Sequence, residues 1–236
     1  MSLKASIRIM KRELGFYFIS PIGYIVIVLF LVATGLVYFY PFFLQGRADM
    51  RNFFTRLPII LTFVVPAVTM RLFSEEYSSG SYEVVLTFPV TTVDILLGKF
   101  LASLGFTLLM LIPTISYPLF VSSVGSLDTG PVLGGYLGTI FLMAQLCAFG
   151  LFASSLTKNQ IIAFLIGAVF CAVVTLVHLV LFLLPSWSVG FFQFFSATVH
   201  FDNIGKGILD SRDLLYFVSM AFLALHFTNV VIEKRK

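Results

Sequence analysis

Long apolar runs alternate with short polar interruptions along this chain. Several runs exceed the ~18 charge-free residues that mark a membrane-spanning helix. Six spans follow, at residues 22–44, 57–73, 96–121, 132–155, 160–184 and 214–232. The pattern predicts an all-α polytopic membrane protein with almost nothing left over for a soluble domain. The first run, Ile22–Leu44, has 23 residues without a charge. It is longer than the apolar part of a secretory signal and no small-x-small site closes it, so it is expected to remain as a span.

Two runs depart from the regular pattern. Only 14 residues, Leu57–Met70, separate Arg56 from Arg71. At ~1.5 Å per residue they reach about 21 Å, short of the ~30 Å hydrocarbon core. Arg56 and Arg71 can snorkel and Leu72-Phe73 add length; a re-entrant hairpin is the alternative. Residues 159–201 form 43 positions without formal charge. That is too long for one helix and too short for two spans with an ordinary loop. Span 5 therefore takes residues 160–184. In the external stretch 185–213, Pro185-Ser186-Trp187 reads as lying at the interface, Gly190–Ser196 with Phe191, Phe192, Phe194 and Phe195 dips back as a shallow or re-entrant piece, and residues 200–213 are polar. Pro113 and Pro118 are expected to kink span 3. The small residues of span 4, among them Gly134, Gly135, Gly138 and Gly150, permit close helix approach.

The polar segments add local structure. In residues 2–18, Leu3, Ile7, Met10 and Leu14 form one stripe and Lys4, Arg8, Lys11 and Arg12 lie opposite. This is a basic amphipathic helix suited to the headgroup plane, or a positive flank that orients the first span. Residues 74–95 are the main charged interruption. Thr91-x-x-Asp94 is a capping box, with Val90 and Ile95 placed as its staple. Gly80 reads as the N-cap of a helix with Glu83 in its first turn. Pro89 ends that helix. The segment reads as two short helices joined at Phe88-Pro89, the second entering span 3. Its charges are Glu75, Glu76, Glu83 and Asp94, with Lys99 just beyond. Such a segment suits mechanical contact with a soluble partner; a solvated loop capping spans 2 and 3 is the plainer reading.

Composition agrees with the pattern. Hydrophobic residues make up 59% and charged residues 11%, against about 25% charged in soluble domains. Mean hydropathy is +1.02. The net charge of +4 sits mostly beside the spans, which excludes a nucleic-acid partner. Six spans place both termini on one face. That face carries ten of the fifteen lysines and arginines, so it is expected to be cytoplasmic and residues 185–213 external.

Little in the chain suggests catalysis. Cys147 and Cys171 lie in apolar runs and read as small buried hydrophobes. His178 and His226 fall in spans and read as neutral rings bonded to neighbouring helices. No histidine pair has metal-ligand spacing, no nucleophile motif is present, and no metal site or catalytic residue is assigned. No ionisable relay lies mid-span, which argues against an ion-coupled carrier or channel. Gln145 reads as interhelical glue. Without a phosphate-binding loop the chain is expected to bind no ATP itself.

The run Glu75-Glu76, Gly80-Ser81-Tyr82-Glu83-Val84-Val85-Leu86-Thr87-Phe88-Pro89-Val90-Thr91, Asp94, Gly98-Lys99 resembles the cytoplasmic coupling segment of ABC-2 type transporter permeases. Ser81 stands where that family usually has threonine. The run His200-Phe201, Gly207, Asp210, Asp213-Leu-Leu-Tyr-Phe is similar to the stretch before the last span in the branch that includes gliding-motility-associated permeases. The resemblance implies two permease subunits, identical or different. Each docks on a separate ATP-binding cassette subunit that carries ATP and Mg, in a bacterial cytoplasmic membrane. It gives Glu75, Glu76, Gly80, Ser81, Glu83, Pro89, Asp94 and Lys99 to ATPase coupling, with Lys99 expected to snorkel at the headgroups. It gives Phe191, Phe194, His200, Asp210 and Asp213 to the external re-entrant region. An auxiliary subunit with an external domain is also implied. The output is then export, or mechanical work passed to a periplasmic partner.

Overall fold

The computed structural model describes residues 3–45, 49–86, 90–179, 186–207 and 210–235. Every regular element among them is helical. The helices are α1 (Leu3–Ile19), α2 (Pro21–Gln45), α3 (Arg51–Thr69), α4 (Arg71–Ser79), α5 (Ser81–Leu86) and α6 (Thr92–Leu111). After a 3-10 turn (Ile112–Ile115) come α7 (Ser116–Val124), α8 (Thr129–Leu156), α9 (Gln160–Leu176), α10 (Ser186–Phe195), α11 (Ala197–Gly205) and α12 (Ser211–Glu233). Six stretches are long and apolar enough to cross a membrane: Pro21–Leu44, Arg51–Ser79, Thr92–Val124, Thr129–Leu156, Gln160–Leu179 and Ser211–Glu233. The protein is an all-α polytopic membrane protein.

Helix α8 is the centre of the bundle. It packs against α3, α4, α6, α9, α11 and α12. Its glycines let neighbours approach: a Cβ on Gly135 would lie 2.6 Å from the Phe54 ring, and one on Gly150 would lie 2.0 Å from Thr69 Oγ1. Its apolar window is 72% buried, against 22% for α2. Helix α2 thus turns most of its surface away from the rest of the chain.

The second span is longer than the apolar count suggested. Helix α3 begins at Arg51 and, after a break at Met70, leads directly into α4. Arg51 and Arg56 are exposed while Phe53, Phe54 and Leu57 are buried, so the polar stretch before Leu57 is an amphipathic helix start. Phe54 meets the first turns of α8 and Met70 meets its last turns. The segment therefore crosses the whole bundle, and a re-entrant hairpin is not formed.

The third span contains 33 residues, or about 50 Å of helix, which exceeds a ~30 Å core and must tilt or bend. It changes to 3-10 geometry at Ile112–Ile115, where Pro113 lacks the donor that an α-helix needs. Span 5 was expected to reach residue 184; positions 180–185 lie outside the described residues. Beyond them α10 and α11 fold back, and Phe201 and Ile204 of α11 are buried, close against Gly138 of α8.

Two ends of the bundle follow. The last turns of α8, the end of α12 and the α4–α5 segment meet at one end. Arg235 donates to Leu156 O at 2.6 Å and Thr92 Oγ1 donates to Glu233 Oε1 at 3.5 Å. Helix α11 lies at the other end.

Candidate functional site

The charged segment 74–95 is helical on both sides of Gly80. Gly80 closes α4 in the left-handed conformation, with φ of 72°. Gly80 therefore serves two helices: it ends α4, since a glycine takes positive φ without strain, and it stands at the expected N-cap position of the next, its carbonyl accepting from Glu83 N–H at 3.3 Å. Helix α5 starts at the next residue and has Glu83 in its first turn. Ser79 and Ser81 share a hydroxyl hydrogen bond at 2.9 Å. Ser81 and Glu83 are both exposed. Pro89 and the Phe88-Pro89 junction lie outside the described residues. The Thr91–Asp94 capping box is formed in both directions, each bond at 3.2 Å.

Lys99 is the structural surprise. The expected snorkelling lysine is 1% exposed and enclosed by three helices. Its Nζ lies 2.8 Å from Glu76 Oε1 on α4 and 3.3 Å from Glu13 Oε1 on α1. It also donates to the Leu72 carbonyl and sits 5.1 Å from the centre of the Phe73 ring. Arg12 adds bonds to Glu13 at 2.8 Å and to Glu76 at 3.2 Å. Two cations and two carboxylates thus form a neutral cluster, which is how buried charge is tolerated. Burial pushes the Glu13 carboxyl up, but Lys99 and Arg12 outweigh it and hold the group below its ordinary value.

Glu13 was not among the sequence candidates. On α1 the face turned to the protein carries Ser6, Glu13 and Tyr17, while Leu3 and Ile7 are exposed. Of the expected apolar stripe, Leu3 and Ile7 are exposed and Met10 and Leu14 half-buried. The protein-facing side packs closely on α6: a Cβ on Gly98 would lie 2.7 Å from Ile9 and 2.9 Å from the Ser6 carbonyl. The glycine makes room there for Ile9 and the α1 backbone. The usable signal was an acid lying on one stripe with a serine and an aromatic. Lys4, Arg8 and Lys11 remain exposed.

Two further contacts fasten the segment. Tyr17 donates to the Val68 carbonyl at 2.7 Å, stacks on Phe106 at 4.4 Å and carries the Arg71 guanidinium over its ring at 4.3 Å. At the Met70 break, Ser154 of α8 inserts its hydroxyl. Oγ accepts from the Phe73 and Ser74 N–H groups at 3.0 and 3.1 Å, and donates to Met70 O at 2.8 Å. A side chain entering the ladder in this way is a recognised cause of a helix break. Beside it, Arg235 lies 4.7 Å over the Tyr77 ring, and Tyr77 packs edge-on against Tyr82 at 4.9 Å. These groups border an open cavity of about 680 Å³ that also meets Glu76, Glu83 and Lys158.

At the other end, His200 Nδ1 lies 2.6 Å from Asp213 Oδ1 and Nε2 lies 3.0 Å from Phe194 O. The imidazole stacks on Tyr216 at 4.1 Å, and Tyr216 donates to Phe195 O at 2.7 Å. Gln145 reaches that hydroxyl at 3.5 Å, bridging α8 to α12 as interhelical glue. Asp210 caps α12 by accepting from Arg212 N. Phe191 and Phe194 are exposed. The structure therefore brings Glu76, Lys99 and Arg12 together and leaves Glu83 and Ser81 projecting. His200 and Asp213 pair far from both groups.

No curated protein matches the chain closely enough to count as a relative. A family profile described as ABC-2 family transporter protein matches residues 50–191. The match takes in α4, α5 and Lys99, and it covers more than half of the sequence. The chain belongs to the ABC-2 family of transporter proteins, as a multi-pass permease subunit of an ABC transporter.

Proposed function

We propose that this permease is driven by ATP hydrolysis on a separate ATP-binding cassette subunit, which grips α5 and the end of α4. The observation that carries this reading is the burial of Lys99 between Glu76 of α4 and Glu13 of α1. A push on α5 reaches α4 through Gly80. It then reaches span 3 and α1 together, because the Lys99 ammonium of span 3 is bonded to both α4 and α1. Exposed Ser81 and Glu83 supply the contact surface, and Glu83 is free to meet a basic groove on the partner.

The same reading puts both termini and α4–α5 in the cytoplasm of a bacterial inner membrane, with α1 in the headgroup plane. The predominance of lysine and arginine on that face supports it. A second permease subunit completes the complex, ATP and Mg stay on the partner, and the output is export. An auxiliary external subunit would meet the α10–α11 end.

The test is ATP turnover of the reconstituted complex with Glu83→Arg. Reversing this exposed charge should abolish stimulation of the ATPase while membrane insertion stays intact. Undiminished stimulation would remove Glu83 and α5 from the coupling path.

A further inference from the structure

Where α1 meets α2 and α3, a cleft of about 310 Å³ opens on the flank of the bundle. Ile19 and Ile22 line it and are 81% and 55% exposed. Half-buried Val26 continues the apolar wall. Two charges line the same cleft, Arg71 and Glu75. They stand four residues apart on α4 and so share a face. Among the described ion pairs neither takes part. Arg71 lies over the Tyr17 ring instead, and Glu75 is exposed. Arginine preceding an acid by four residues is the weaker order for a helical pair, so little draws the two side chains together. A half-buried guanidinium held against Tyr17 and an exposed carboxylate thus stand together at the edge of an apolar slot.

A single headgroup bearing both signs matches that arrangement. We propose that the cleft binds a glycerophospholipid with an ethanolamine headgroup, its phosphate on Arg71 and its ammonium on Glu75. One acyl chain runs along Ile22 and Val26. Guanidinium suits phosphate because its fork matches two oxygens. A primary ammonium can donate hydrogen bonds to the Glu75 carboxylate, whereas a quaternary choline cannot. A glycerol headgroup offers that carboxylate no cation. The proposal rests on α1 lying at headgroup depth, which places the mouth of the cleft among lipid headgroups. It does not require the ATPase.

Native mass spectrometry of the full chain, stripped of lipid in detergent, tests it. Phosphatidylethanolamine, phosphatidylcholine and phosphatidylglycerol with identical acyl chains are titrated, with inorganic phosphate as a fourth ligand. Ethanolamine lipid should be retained about ten-fold better than the other two, the worth of one charge-assisted hydrogen bond. Arg71→Gln and Glu75→Gln should each erase that preference. Glu75 is exposed, so its variant reads binding without a folding penalty. Equal retention of the three lipids, an unaltered preference in Glu75→Gln, or equal uptake of free phosphate would overturn the proposal. Co-purification of the ATPase is scored in parallel. No preference in the unaltered protein, with the ATPase still bound, removes only the lipid site. Preserved preference with no ATPase bound removes only the coupling reading.

Discussion

Lys99 and Glu76 flank α5 in sequence and meet at 2.8 Å, one near the start of the third span and one in the helix that extends the second. Their contact closes the charged segment into a loop clamped at its base, and Glu13 clamps α1 to the same point.

Lys99→Met should destabilise the protein by about 3–5 kcal/mol, the usual cost of removing one partner from a buried ionic group. Glu13 and Glu76 would then face each other with only the half-exposed Arg12 between them. Thermal unfolding in detergent measures the loss. Adding Glu13→Gln and Glu76→Gln should recover much of it, because the stranded charges go as well. A triple variant no better than Lys99→Met would show that the lysine acts through packing.

The pH profile tests the same cluster. Glu13 has its folded pKa lowered, so its contribution is complete above the ordinary carboxylate value of 4.5 and disappears as pH falls through the folded value. Melting temperature should therefore be insensitive to this group from neutral pH down to about 4.5 and fall below it. Glu13→Gln should flatten the acidic limb. A limb of equal steepness in the variant would place the acid sensitivity elsewhere.

Ser154→Ala removes a hydroxyl that serves three backbone groups at once. Leaving buried donors unsatisfied costs about 1–3 kcal/mol. Hydrogen exchange should rise at Phe73 and Ser74 and stay unchanged in the middle of α8. Uniform exchange across both regions would contradict the role given to this side chain.

Gly150→Ala places a methyl 2.0 Å from Thr69 Oγ1. Overpacking of this kind costs about 1–3 kcal/mol. Thr69→Ala should restore part of the loss, since the clashing oxygen is gone but the Thr69 Cβ remains 2.9 Å away. Melting temperatures of the single and double variants settle it.

The architecture was largely legible because most of the apolar runs are longer than a soluble core needs; the second, only 14 residues long, was placed by the snorkelling of its flanking arginines. The Thr91–Asp94 box was legible too, since a cap is written in four consecutive residues. Lys99 was not. A lysine one turn or two into a span commonly reaches back to the headgroups, and nothing beside it in sequence says otherwise. Its partner Glu13 lies 86 positions away, in a stretch where basic residues dominate. Gly80 was legible as the start of α5 but not as the end of α4. Glycine serves at both ends of helices, and the helicity of Arg71–Ser79, packed on α8, gives it the second role.

The hydroxyl of Ser154 fills a missing rung in a neighbouring helix, and this limits how the molecule can flex. Swinging α4 about Met70 while α8 stays still would strip the Phe73 and Ser74 N–H groups of their acceptor. The cheaper motion carries the last turns of α8 along, and with them Arg235 and the end of α12. If α5 is gripped as proposed above, the part that shifts is a slab spanning three membrane crossings, with the protruding α5 as its edge.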